Sequence, residues 1–176
     1  ISDLHLGYEA NQRALLEITS RPADWLILAG DVGETAAHLE LAFKELKPRF
    51  ARLVWVPGNH ELWTLSNEAA RGRFKYDELV ELCRSHGVLT PEDPYPIVTI
   101  AGREVRIAPL FLLYDYSFRP RDIPIERALD WAAETGLECA DEALLHPDPY
   151  ATRAEWCHAR CEMTERRLKA HRNDLP

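Results

Sequence analysis

The sequence predicts an α/β domain built on a mostly parallel sheet, and three observations carry that expectation. Two short apolar runs, 24–29 and 53–56, end abruptly at Gly30-Asp31 and Pro57-Gly58, as buried strands do. Stretches with apolar residues at helical spacing lie around and between them. Over the first 90 residues strand and helix therefore alternate, the pattern of βαβ units. The length, 176 residues, suits a single domain with a sizeable core.

Each element has its own signal. Residues 11–19 carry apolar side chains at helical spacing and precede the run Asp24-Trp25-Leu26-Ile27-Leu28-Ala29. Thr35 is placed to cap a helix that runs to about Lys47 and is stopped by Pro48. The strand at 53–56 follows, then an amphipathic helix at 73–85 closed by Gly87. Ile97–Ile100 and Val105–Ile107 alternate around Ala101-Gly102-Arg103, a hairpin signature that adds an antiparallel portion. Residues 124–135 and 152–171 read as helices. The stretch 109–124, PLFLLYDYSFRPRDIP, is rich in aromatics and prolines and reads as a long surface loop. No repeat, low-complexity tract or linker interrupts the chain.

Composition narrows the function classes. Apolar residues make up 46% and charged residues 28%, ordinary for a soluble globular protein. The net charge of −8 argues against a nucleic-acid surface, which is usually basic. A phosphate site stays open, because a bound cation can supply positive charge locally. No apolar run reaches the roughly 20 residues that span a bilayer. Four cysteines are too few for a disulfide-stapled mini-domain, so a cytoplasmic setting is expected.

Three polar clusters follow the apolar runs. Asp3 and His5 sit in ISDLHLG, Asp31 in LILAGDVGE, and Asn59 and His60 in VWVPGNHE. Asp31 lies 28 residues after Asp3, and Asn59 lies 28 residues after Asp31. Each interval is about one βαβ repeat, so the clusters should converge at the carboxyl ends of adjacent strands, where open α/β sheets bind ligands. Singly, each has a plain structural explanation: a strand-end carboxylate, a turn, a surface histidine. Together and in order they bring Asp, His and Asn donors to one place. That donor set suits Mn²⁺, Fe²⁺ or Zn²⁺. Two such ions about 3.5–4 Å apart make the clamp used for displacement at phosphorus.

SDLH, GDVGE and GNHE together resemble the first three motifs of the calcineurin-like metallophosphoesterase superfamily. The resemblance covers about residues 1–110. It implies an α/β fold with a two-sheet β-sandwich flanked by helices, and hydrolysis of a phosphomonoester or phosphodiester by a metal-bridging hydroxide. It implies two divalent ions: Asp3 and His5 on the first, Asp31 bridging both, Asn59 on the second. His60 would face the leaving group or a phosphate oxygen as catalytic acid or charge stabiliser. Glu61 would support the ligands. Glu34 stands where many relatives have Asp, and serves as a helix N-terminal charge or acceptor behind the ligands sooner than as a ligand itself. The partner expected is a small phosphate-ester substrate.

The family pattern also includes a histidine after a later strand and a G-H-x-H pair, and neither occurs here. His146, in EALLHPDPY, is the nearest stand-in. The chain opens at Ile1 inside a motif and closes on Asn173-Asp174-Leu175-Pro176, a helix end followed by a turn. The expectation is one domain over 1–176, the N-terminal portion of a fold incomplete at both ends and inactive alone. Two rivals remain: a pyrophosphohydrolase acting on a nucleotide conjugate, and a metal-free interaction scaffold on the same fold. A scaffold loses these donor side chains, whereas all five positions keep theirs. Cys157 and Cys161, with His158 between them, have chelating spacing but more often pack as small hydrophobes. Tyr114, Tyr116, Phe118 and Arg119 line a substrate pocket or simply cover the core.

Overall fold

The computed structural model describes residues 1–136 and 138–171. The turn expected at 173–176 lies outside the described residues. Helix α1 (Glu9–Leu16) leads into β1 (Arg21–Ala29), α2 (Ala36–Leu46) and β2 (Phe50–Val56). Helix α3 (Gly72–Ser85) precedes the hairpin β3 (Ile97–Ile100) and β4 (Arg103–Arg106). Three helices follow: α4 (Ala128–Ala133), α5 (Asp141–Leu144) and α6 (Arg153–Ala170).

β1 and β2 pair in parallel, with Leu26 opposite Leu53, Leu28 opposite Trp55 and Ala29 opposite Val56. Backbone from two other segments extends this pair. Ile1 N–H donates to Ile27 O, and Ala29 N–H donates to Ile1 O, both at 2.8 Å. On the far edge Leu89 exchanges bonds with Leu53 and Trp55 at 3.1 and 2.8 Å. The N-terminal segment, β1, β2 and Leu89 thus lie side by side in chain order of the three motifs, with α2 as the crossover.

The helices supply the cover. Thr35 caps α2, its hydroxyl accepting from His38 N–H at 3.4 Å. Leu39, Ala42, Phe43 and Leu46 form one buried face of α2, at the spacing of a helical stripe. Tyr76, Leu79, Val80 and Cys83 do the same for α3, and the Tyr76 ring stacks 6.2 Å from Trp55 of β2. Leu28, Leu53 and Trp55 complete the core beneath them. β1 departs from the buried strand expected, because only one of its faces is covered. Ile27 is 42% exposed, and with Trp25 it borders a groove shared with Ile97 and Ile100 of the hairpin. The hairpin turns on Ala101 and Gly102, both at positive φ, as a two-residue turn between twisted strands requires.

Two expectations change in detail. The stretch 109–124 has no strand or long helix, but it is not wholly surface. Phe111 is 1% exposed, its ring 4.4 Å from Tyr76 and 5.6 Å from Trp156. Arg160 Nε and Cys157 Sγ hold the carbonyls of Phe111 and Leu113. The helix expected at 124–135 is a 3₁₀ turn at Ile125–Arg127 followed by α4, and α5 had no counterpart in the sequence reading. Among the described residues no helix is long and apolar enough to cross a membrane.

Candidate metal centre

The three motifs meet where the parallel sheet ends. Asp3 N–H donates to Gly30 O at 3.1 Å, His5 N–H to Asp31 O at 3.0 Å and Leu6 N–H to Val32 O at 2.9 Å, zipping the first motif to the second. The second and third are held by Glu61. Its buried carboxylate accepts from Asp31 and Val32 N–H at 3.0 and 2.9 Å, and from Gly58 N–H at 2.9 Å. Burial pushes the Glu61 carboxyl up to about 7, against the pull of the Val32 and Gly58 N–H groups and with the Asp31 charge adding to the rise. His60 N–H adds a bond to Asp31 Oδ1 at 3.2 Å.

Among the described residues, His5, Asp31 and His60 are the one group of His, Cys, Asp and Glu whose ligand atoms all lie within 4.8 Å of one another. Each is half-buried. The Asp3 carboxylate lies outside this group; its residue is exposed, and it reaches the site through its backbone. Asn59 turns its Nδ2 to Asp141 Oδ1 at 2.8 Å, which leaves its carbonyl Oδ1 uncommitted to that partner.

The donors fit a divalent cation. Two imidazoles, a carboxylate and an amide carbonyl are the ligands that first-row divalent metals share. The backbone is arranged around them at a cost. Asp3, His5 and Asp31 have φ of 57°, 42° and 54°, a region that side chains disfavour. Gly58 is needed for clearance: a Cβ there would stand 2.0 Å from Asp31 Oδ1.

One carboxylate stands beside both imidazoles and is within hydrogen-bond distance of His60 alone. Glu34 Oε1 lies 3.3 Å from His60 Nδ1 and 3.9 Å from His5 Nδ1. His38 belongs to this cluster but is not an ion-pair partner. Its Nδ1 accepts the Glu34 N–H at 3.1 Å, so that nitrogen carries no proton to offer the carboxylate 3.4 Å away. The His60 ring also stands edge-on to His5 at 4.5 Å and lies on Trp63 at 3.7 Å.

The remaining candidates separate. Tyr114 joins the site by donating to Asp141 Oδ2, and Tyr116 donates to Glu142; burial and these carboxylates raise both phenols, Tyr116 to about 12. Phe118 is fully exposed, and Arg119 bonds Ile123 O in its own loop. His146 Nδ1 faces Arg71 at 3.0 Å and takes no part in the group of donors. His158 pairs with Asp115 at 3.1 Å, away from a zinc role with the cysteines; burial pushes the Cys157 thiol up to about 11, with Cys161 adding to it. All four cysteines are free.

Two residues escaped the sequence reading. Trp63 follows GNHE by two positions and could have been suspected as an aromatic wall. Asp141 had no local signal. Burial alone would raise its carboxyl, but hydrogen bonds from Asn59, Tyr114 and Trp63 hold it below the usual range.

A family model described as calcineurin-like phosphoesterase matches residues 1–170. The [acyl-carrier-protein] phosphodiesterase PptH of Mycobacterium tuberculosis (strain ATCC 25618 / H37Rv) is 44% identical over 173 residues, covering 96% of this chain and 53% of that protein. The chain thus spans about half the length of the curated relative it matches. The crystal structure of phosphopantetheinyl hydrolase (PptH) from Mycobacterium tuberculosis superposes with a TM-score of 0.90 at 44% identity, over 96% of this chain and 61% of that one.

Proposed function

The chain belongs to the calcineurin-like phosphoesterase family, and on that premise we propose that its protein hydrolyses the phosphodiester joining a phosphopantetheinyl group to an acyl carrier protein. The convergence of the His5, Asp31 and His60 donor atoms carries this reading. The likeness to PptH over nearly the whole chain supports the substrate, a protein-borne ester in place of the small one that the motifs suggested. The retained donors speak against a metal-free scaffold. Four free thiols are in keeping with a cytoplasmic setting.

His5 and Asp31 would hold one divalent ion, joined by the Asp3 carboxylate once that exposed side chain turns in from outside the group, and Asp31 with Asn59 would hold a second. When bound, such ions neutralise phosphate charge and lower the pKa of coordinated water toward neutrality. The chain's own groups do the rest. Glu34 accepts from His60 Nδ1 and fixes the ring, which leaves Nε2 as the atom that delivers a proton to the departing carrier hydroxyl or stabilises a phosphate oxygen. Trp63 restricts that ring from one face. Addition of water across the P–O bond releases the carrier protein with its free hydroxyl and phosphopantetheine.

The test is the full-length protein with Mn²⁺ and a phosphopantetheinylated carrier protein, with loss of the group followed by mass spectrometry. His60→Ala should lower turnover on the order of 10²–10⁴-fold with bound Mn²⁺ nearly unchanged. No release by the wild type would sink the substrate assignment. Loss of Mn²⁺ from His60→Ala would make His60 a ligand instead of an acid.

A further inference from the structure

We propose that Asp141 is a positioning residue that decides which end of the Asn59 amide faces the metal-binding donors. An amide can present either its carbonyl or its NH₂ to an ion, and only the carbonyl is a ligand. Nothing in GNHE itself settles the choice.

Asp141 does. The residue is 3% exposed, on a four-residue helix 82 positions further along the chain. An ionised carboxylate only accepts. The Asn59 atom 2.8 Å from Asp141 Oδ1 must therefore be Nδ2, since a carbonyl oxygen there would meet another lone pair. The same Oδ1 accepts from Trp63 Nε1, and Oδ2 accepts from the Tyr114 hydroxyl. Trp63 in turn lies against His60 at 3.7 Å. One buried carboxylate thus fixes the Asn59 amide and the aromatic wall behind His60. The backbone docks α5 in place, because Thr64 N–H donates to Leu144 O at 2.9 Å.

The inference rests on Asn59 being a metal ligand, as proposed above, and its test reads orientation and metal binding, not turnover. In metal-free, full-length wild type, one Asn59 side-chain amide proton should resonate downfield by NMR and exchange slowly, and the signature should vanish in Asp141→Ala. Mn²⁺ titration by calorimetry should show the second ion bound 10–100-fold more weakly in Asp141→Ala, the usual cost of losing a partner behind a ligand. Asp141→Asn separates orientation from charge. Its remaining carbonyl can still accept from Asn59 and Trp63, and the Tyr114 hydroxyl can turn to accept from the new amide. Mn²⁺ affinity in that variant should stay within about threefold of wild type.

Three results would overturn the assignment. One is Asp141→Ala binding both ions as wild type does. Another is equal losses in Asp141→Ala and Asp141→Asn, which would place the effect in the charge. The third is two freely exchanging Asn59 amide protons in wild type, a measurement that stands even if Asp141→Ala fails to fold. Failure of the wild type to bind a second ion would instead count against the metal reading of Asn59, and the amide resonances would still judge Asp141.

Discussion

Gly58→Ala offers a sharp test of the metal centre, because the added methyl has nowhere to go. Its Cβ would lie 2.0 Å from Asp31 Oδ1, 2.7 Å from Asp31 Cγ and 2.7 Å from Asp31 N, where ordinary contact begins at 3.4 Å. Something must move by about 1.4 Å. The carboxylate must leave the position shared with His5 and His60, and metal-ligand distances tolerate only about ±0.2 Å. The 2.7 Å approach to Asp31 N means that the backbone must withdraw as well, and Glu61 then loses its hold on Asp31 N–H and Gly58 N–H. Each orphaned buried donor costs about 1–3 kcal/mol, so the metal-free protein should lose about 2–6 kcal/mol. At roughly 2–4 °C per kcal/mol for a chain of this size, its melting temperature should fall on the order of 10 °C. Together these displacements weaken Mn²⁺ binding at least about 10-fold, the low end for disturbed supporting structure. Calorimetric titration of the full-length protein reads the loss of affinity, and melting in chelator reads the loss of the two Glu61 bonds. A variant that binds Mn²⁺ within threefold of wild type would refute the reasoning, since the Asp31 carboxylate could not then be where the ion needs it.

Two further substitutions probe the surroundings. Glu34→Gln keeps the shape but removes the charge opposite His60 Nδ1, so turnover of the carrier substrate should fall about 10–100-fold while Mn²⁺ content holds; equal loss of metal would make Glu34 a ligand. Glu92 is buried enough to be raised, yet the Tyr76 hydroxyl and Arg160 keep its carboxyl below the usual value. Its folded pKa is the lower one, so its contribution is present above about pH 4.5 and disappears as pH falls through the folded value. Urea melts of wild type between pH 3 and 6 should steepen on the acid side, and Glu92→Gln, less stable by about 2 kcal/mol at pH 6, should show a shallower limb. Parallel curves would mean that the pair contributes nothing specific to acid stability.

What could be read in the sequence, and what could not, divides by the range of the interaction. The crossover and both central strands were legible because each apolar run stops at a glycine, and parallel register then brings equivalent points side by side. The hairpin was legible because Ala101 and Gly102 supply a turn of two residues at positive φ. Phe111 was not, since a Pro- and Tyr-rich stretch looks solvent-facing until Arg160 and Cys157 of α6 pin its carbonyls inward. The exposed face of β1 was missed for a similar reason: apolar residues in a run do not say which face is covered. His5, Asp31 and His60, whose donor atoms the fold brings together, stand in local motifs that the sequence shows. The group that aims the Asn59 amide could not be read there, because Asp141 meets Asn59 across 82 residues and nothing around Asp141 differs from an ordinary acidic helix start.

The placement of strain ties these two ranges together. Three residues with side chains adopt positive φ in the first two motifs, Asp3, His5 and Asp31, and each was expected from sequence to hold a metal ion. A left-handed residue costs about 1–2 kcal/mol, so the site carries about 3–6 kcal/mol that no local preference supplies. Such strain persists only where the surroundings over-determine it. Here the surroundings are countable: the Asp3, His5 and Leu6 N–H bonds to Gly30, Asp31 and Val32, and the three N–H bonds collected by Glu61. Glu61 is the pivot, because its two oxygens bind the ends of β1 and β2 at once. The fourth residue of GNHE is therefore what allows the first residues of the chain, and Asp31, to keep the conformation that brings the His5 and Asp31 donors together. Asn59 is not strained, with φ of −74°, and needs a different device, a carboxylate from α5 that sets its amide. Strain held by backbone bonds orders the donors of the first two motifs, and a side-chain hydrogen bond orders the amide of the third.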